Sequence, residues 1–370
     1  MSRAREFADL AGSADAGGLT GRNLIINGAM QVAQRSTSET GLTNVTYNTV
    51  DRFFCNTSVG SGSLVRTEEQ STDAPDGFSN SLKLSVTTAS TNTNYGIFEH
   101  RIEGQNLQHL NWSSSSGKNL TASFYIKSSE TGTMVFGAYT SAGGARGFAK
   151  TFTYNTANTW QRVVINIPND TGGSALANDN TVQFRTWIVF DAGGVWATGT
   201  QQDGWASYNQ ANMGVDVDTD ILSTLNATVQ VTGVQLEVGE QATPFEHRSY
   251  GDELLRCQRY FFKQESVSGS YLPFGFGTWF SASRFISNVQ FPVPMRANPS
   301  VTITGDVEAW DGTSPKGAIA SVGIESSGGG GSPTIIKMDA TNLSGATSGN
   351  HGFLMADNDS DASLEYSAEL

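Results

Sequence analysis

Short runs of alternating apolar and polar residues recur along this chain, and almost nothing between them has the spacing of a helix face. Ser81-Leu-Lys-Leu-Ser-Val86 alternates cleanly. Leu120–Lys127, Trp160–Pro168, Val182–Phe190 and Thr228–Val238 continue the pattern, and Asn23–Gly28 opens it. Gly, Asn and Ser fill the intervals, as turns between antiparallel strands require. Parallel strands would need crossovers of about a dozen residues or more, commonly helical, and none is legible. The predicted class is all-β, with an antiparallel sandwich over residues 23–248.

Ser249–Tyr260 breaks the pattern. Ser249 followed by Asp252 reads as a capping box, and Leu254, Leu255 and Cys257 are expected on the buried face of a short helix. Residues 249–262 are therefore read as a helical connector. Residues 263–370 follow as a second, smaller β module, fed by Tyr260–Lys263 and interrupted by Gly-rich loops such as Gly328–Gly331. Residues 1–22 stand apart as an N-terminal arm. Ser2–Leu10 can form a short helix but cannot bury its own apolar side, so the arm is expected to order only against something else.

Composition narrows the function classes. Charged residues are 15% of the chain, and 22 Lys+Arg against 35 Asp+Glu leave a net charge of −13. Such a chain repels phosphate backbones and shows no basic cluster, so no nucleic-acid partner is expected. The N-terminus has no apolar core of a signal peptide, and no run reaches 18 apolar residues, so membrane insertion is not expected. Cys55 and Cys257 are expected as two buried thiols. The histidines His100, His109, His247 and His351 match no zinc spacing.

Two stretches look familiar. Asn23-Leu-Ile-Ile-Asn-Gly-Ala-Met30 and Val231-Thr-Gly-Val-Gln-Leu-Glu-Val238 resemble the first and last strands of jelly-roll domains of the carbohydrate-binding-module type. Val234–Tyr250, running into Glu253-Leu-Leu-Arg-Cys-Gln-Arg-Tyr260, resembles a junction in tail-fibre and related virion proteins of tailed bacteriophages, notably marine and cyanobacterial ones. Asp51-Arg-Phe53, Ile102-Glu-Gly104 and Phe291-Pro-Val-Pro-Met-Arg296 fit the same family, over roughly residues 20–305. The resemblance implies a jelly-roll sandwich in a virion tail protein, commonly a homotrimer, displayed towards the host surface and without enzymatic activity. Assembled on the tail or baseplate, it would attach the particle to surface polysaccharide. A structural adaptor, a head decoration and a polysaccharide depolymerase remain the alternatives.

Several residues are candidates for these roles. Arg3, Arg5, Phe7 and Leu10 in the arm would anchor the chain to the tail. Pro244, Phe245, Glu246, His247, Arg248 and Tyr250 would form a rigid elbow between modules, with Pro244 fixing an extended path and Phe245 packing back on the sandwich. Trp196, Trp205 and Tyr208, in a Gly/Ala/Gln/Asn-rich stretch, and Trp310 in the distal module, are candidates for sugar contact. A flat ring can cover a sugar's C–H face while amides and carboxylates bind its hydroxyls. Trp160 and Trp187 fit strand cores instead. No cofactor is implied, except that Asp216, Asp218 and Asp220, like Asp357, Asp359 and Asp361, repeat hard oxygens on one side of an extended segment and are candidates for structural Ca²⁺. Both runs lack the EF-hand Gly and Glu, because Ile221, Ala227, Ala362 and Ala368 occupy those positions.

Overall fold

The computed structural model describes residues 21–43, 46–267, 271–319, 323–324, 334–341 and 343–370. The arm candidates Arg3, Arg5, Phe7 and Leu10, and the Gly328–Gly331 run, lie outside the described residues. The chain divides into two compact units between Glu253 and Leu254, with Leu370 counted with the first.

The first unit is a jelly-roll sandwich of two six-stranded antiparallel sheets. One sheet runs β1 (Ser38–Leu42), β3 (Val65–Ser71), β4 (Ser81–Thr88), β12 (Thr228–Val238), β6 (Leu120–Ser128), β9 (Gln161–Ile167). The other runs β11 (Gly204–Ser207), β8 (Arg146–Tyr154), β7 (Gly132–Thr140), β10 (Val182–Ala192), β5 (Thr93–Glu103), β2 (Phe54–Val59). Alternation sends Leu82, Leu84 and Val86 of β4 inward, with Phe124 of β6 and Phe136 of β7 stacked between the sheets at 6.0 Å. Cys55 on β2 and Cys257 are buried and joined in no disulfide.

Asn23–Gly28 does not form the expected strand. It runs beside β12, with the Leu24 N–H donating to the Leu236 carbonyl at 2.9 Å and the Val234 N–H donating to the Gly28 carbonyl at 2.9 Å. The Asn23 side-chain oxygen takes the N–H groups of Ile25 and Leu236, each at 3.0 Å, in place of ladder pairing. Asn27 and Met30 then turn through positive φ, at 61° and 56°. Gly28 is fixed by closeness, since a Cβ there would stand 2.1 Å from the Val234 carbonyl oxygen.

The helix α1 (Tyr250–Gln258) spans the division between the units. Ser249 caps it, accepting from the Asp252 N–H at 3.2 Å while its hydroxyl donates to the Asp252 carboxylate at 2.7 Å. Its buried positions are Glu253 and Cys257, one turn apart. Of the expected Leu254, Leu255 and Cys257 face, Cys257 is buried, Leu254 is half-buried and Leu255 is exposed, and Glu253 takes the buried place expected of the leucines.

The second unit has two antiparallel sheets. A three-stranded sheet orders β13 (Phe261–Glu265), β22 (Ser363–Ser367), β16 (Ser300–Thr304). A seven-stranded sheet orders β18 (Pro315–Ala318), β17 (Val307–Trp310), β21 (His351–Ala356), β14 (Pro273–Ser281), β15 (Arg284–Gln290), β20 (Ile335–Ala340), β19 (Gly323–Ile324). Trp279, Phe285, Leu354 and Tyr366 lie in its core. Among the described residues, no helix is long and apolar enough to cross a membrane.

Candidate functional site

A sandwich sheet of this kind normally turns polar side chains outward. The outer side of the β11-β8-β7-β10-β5-β2 sheet departs from that. Inward Phe184 and Ile188 on β10 alternate with outward Arg185, Trp187 and Val189, and outward Trp187 is 5% exposed. Trp187 was expected in a strand core; it lies instead in a second apolar cluster outside the sandwich, with Ile97, Val135, Ala149, Trp196 and Met213. Trp196 and Met213 reach that cluster from the segment that follows β10.

The ladder sets the order of the rings. Trp187 pairs with Gly137 on β7 and Glu99 on β5, while Arg185 pairs with Tyr139 and Arg101 one step along. Tyr139 and Tyr208 meet edge to face at 5.0 Å and Trp187 and Trp196 at 5.8 Å, while Tyr95 and Trp196 lie tilted by 34° at 4.6 Å. Tyr95, Tyr139 and Tyr208 are each half-buried, so parts of these rings face solvent. Burial and the neighbouring Tyr139 push the Tyr208 hydroxyl up to about 12, so it remains a neutral donor.

Charge borders the aromatic floor. Glu99, 3% exposed, accepts from Arg101 Nε at 2.8 Å and faces Arg185 Nη1 at 3.7 Å. The Arg185 guanidinium lies over the Tyr139 ring at 5.3 Å and that of Arg101 over Phe54 at 5.0 Å. Burial opposes the Arg101 charge, but Glu99 outweighs it and raises that guanidinium above its usual value. Two cations thus share one carboxylate. The result is a set of partly exposed tyrosine rings edged by Arg185 and Arg101, whose N–H donors the buried Glu99 holds in place, which can stack on a ring and hydrogen-bond to groups at its rim.

The candidates named from sequence divide between places. Trp196 and Tyr208 join this surface, Trp196 as a buried support 5% exposed and Tyr208 at the solvent edge. Trp205 turns away from them. It packs on Trp112 at 5.5 Å and Phe148 at 5.6 Å, and its indole N–H donates to the Pro168 carbonyl at 2.8 Å. Trp310 belongs to the second unit, 5.8 Å from Phe353. Arg185, Glu99, Arg101, Tyr139 and Tyr95 were missed. A signal existed in Arg185-Thr-Trp187, where period two puts a cation and an indole on one side of a strand.

The acidic runs serve the backbone. An Asp218 carboxylate oxygen caps the Thr133 N–H, and Thr219 Oγ1 donates to the Phe190 carbonyl at 2.6 Å. Asp216 and Asp220 are exposed, Asp216 at positive φ. Asp359 accepts from the N–H groups of Asp306 and Asp361 at 2.7 and 2.9 Å. Among the described residues, no three His, Cys, Asp or Glu side chains converge as a metal site would need.

Residues 244–250 fold back on the first unit. Phe245 and His247 pack on Phe78 at 5.0 and 5.3 Å. Glu246 accepts from the Gly21 and Asn23 N–H groups at 2.5 and 2.7 Å, and Arg248 donates to the Ile25 carbonyl at 3.0 Å. Glu253 receives the Asn27 N–H at 2.6 Å and pairs with Arg248 at 3.4 Å. The Pro244 carbonyl accepts from Arg22 at 3.3 Å, while Tyr250 is exposed.

No protein-family model matches the sequence, and no curated protein matches it. Solved structures do. The enzymatically active domain of bacteriophage CBA120 tailspike protein 4 is similar at 12% identity and a TM-score of 0.33, over 59% of this chain and 21% of that one. A putative sugar binding protein from Bacteroides thetaiotaomicron is similar at 13% identity and 0.30, over 59% of this chain and 100% of that one. A family 11 carbohydrate-binding module of a Clostridium thermocellum cellulase is similar at 12% and 0.26, over 60% and 98%.

Proposed function

We propose that this chain is a tail-fibre-type virion protein of a bacteriophage, and that its first unit attaches to host-surface polysaccharide through the outer site. The observation carrying the sugar reading is the half-buried pair Tyr139 and Tyr208, backed by buried Trp187 and bordered by Arg185 and Arg101, which buried Glu99 holds. Sugars offer an apolar C–H face and a rim of hydroxyls, and the site offers the complement of both. The virion reading rests on the resemblance carried by Val234–Tyr260. The arm, through Arg3, Arg5, Phe7 and Leu10, would dock on the tail, and three copies would give weak single contacts useful strength.

A panel of bacterial capsular polysaccharides and lipopolysaccharides, immobilised and probed with the full chain, tests the site. Binding that weakens in Arg185→Ala and Tyr208→Ala is expected; a blank panel, or unchanged binding in both variants, overturns the reading. Release of new reducing ends during incubation would replace attachment with depolymerisation. Light scattering that returns a monomer at micromolar concentration would remove the trimer, and particles that incorporate a chain lacking residues 1–22 would remove the anchor.

A further inference from the structure

The second unit carries a row of aromatic rings that the first site does not use. Trp310 on β17 pairs with Phe353 on β21, and Phe353 pairs with Phe276 on β14. The ring centroids lie 5.8 and 5.0 Å apart. Phe276 is 67% exposed. A register shift between Pro273 and Gly275 makes this possible. In a regular strand Phe274 and Phe276 would share a face; here Phe274 is buried in the core and Phe276 stands in solvent. Irregularities of this kind re-aim side chains and recur beside binding sites.

The end of the row at Trp310 is pinned by the turn that follows it. Beyond Trp310 the chain turns on Asp311, whose Oδ1 accepts from the Thr313 and Ser314 N–H groups at 3.0 and 3.1 Å, and whose Oδ2 meets Lys316 at 3.0 Å. On the other side Asn288 continues the row opposite Phe276 and is exposed. The neighbouring row brings His351 and Thr278, with Thr278 Oγ1 3.4 Å from His351 Nδ1, before it reaches Ile286 on β15. The face is therefore striped, with rings beside hydrogen-bonding groups, and Trp310, Phe353, Phe276 and Asn288 carry no charge.

We infer that this row is a second glycan-binding site, for a single extended neutral polysaccharide chain lying across β17, β21 and β14. Neighbouring strands stand about 4.8 Å apart, close to the advance of one sugar residue along an extended glycan, so successive rings meet successive sugars. The rings tilt by 36° and 56° relative to one another. Such a ladder fits a chain that rotates from residue to residue, and not a flat crystalline surface. A second protein copy would be better served by a continuous apolar face than by one striped with Thr278, His351 and Asn288.

Affinity electrophoresis of the full chain in gels holding hydroxyethylcellulose, soluble xylan or galactomannan tests this, with Phe276→Ala and Phe353→Ala as variants. The inference expects at least one glycan to retard the wild type. It expects each variant to lose affinity by roughly fivefold, about 1 kcal/mol of ring contact, with unchanged far-ultraviolet dichroism. Arg185→Ala, in the first unit, should leave this retardation intact, which separates the two sites. No retardation by any of the three, or retardation untouched in both variants, overturns it. So does a wild-type oligomer that sedimentation shows falling to monomer in Phe276→Ala, since a second copy would then cover the row.

Discussion

The Trp187 indole lies across Gly137 so closely that a Cβ at Gly137 would stand 1.8 Å from the indole nitrogen. The floor of the outer site therefore depends on a missing side chain on the neighbouring strand. Gly137→Ala should lift the indole, disturb Trp196 and Tyr208 together, and cost about 1–3 kcal/mol of overpacking. Thermal unfolding measures the stability loss, and near-ultraviolet dichroism reports the displaced tryptophans. An unshifted aromatic spectrum would show that the indole does not rest on Gly137.

Glu99 is the hub of the charged rim. Glu99→Ala takes from Arg101, which is mostly buried, the carboxylate that its Nε–H meets while its Nη1 keeps the Leu370 carbonyl, and should destabilise the first unit by about 1–3 kcal/mol. Glu99→Gln keeps an acceptor and should cost less. If the outer site binds glycan, both substitutions should also weaken it by letting Arg185 and Arg101 drift. Equal melting temperatures for wild type and Glu99→Ala would contradict the hub.

Asp191 gives the first unit a pH dependence. Its carboxyl is buried and accepts from the Leu222 N–H at 2.6 Å, and burial pushes it up to about 7. Between its ordinary value of 3.8 and about 7 the folded chain holds a proton that the unfolded chain has lost. Stability from this group should thus fall as pH rises through that window, by at most about 1.4 kcal/mol per pH unit, and level off above it. Glu308 in the second unit, pushed up to about 7 by burial and then by Asp357, acts in the same direction. Urea unfolding from pH 4 to 8 should show a smaller slope in Asp191→Asn, and a smaller one still with Glu308→Gln added.

The strands were legible where one face is buried and the other wet, as in Ser81–Val86, because period two then appears directly in the sequence. The outer site was only half legible. β10 is covered on both sides, by the core and by the segment carrying Trp196 and Met213, so its apolar residues gave no sign of which face held Trp187. Tyr139, Glu99 and Arg101 come from strands far apart in sequence, and only the ladder register sets them beside Arg185. Asn23–Gly28 misled for another reason: its composition suits a strand, but Asn23 spends its side chain on the backbone donors that a ladder would use.

Glu246 joins the two ends of the first unit. Its two oxygens take the N–H groups of Gly21 and Asn23, its own N–H donates to Gln235 Oε1 at 2.8 Å, and Arg248 lies 3.3 Å away. Burial disfavours its charge, but those donors and Arg248 more than compensate and hold the carboxyl below its usual value. Glu246→Ala should leave both N–H groups without an acceptor, at about 1–3 kcal/mol. For a unit of this size that lowers the melting temperature by roughly 2–4 °C per kcal/mol. Glu246→Gln, which keeps an acceptor for one N–H, should lie between. Hydrogen exchange should also quicken at Gly21, Asn23 and Ile25 in Glu246→Ala, while the core amides of β6 and β10 keep their protection. Uniform loss of protection would mean that the segment is part of the core and not a clasp laid over it.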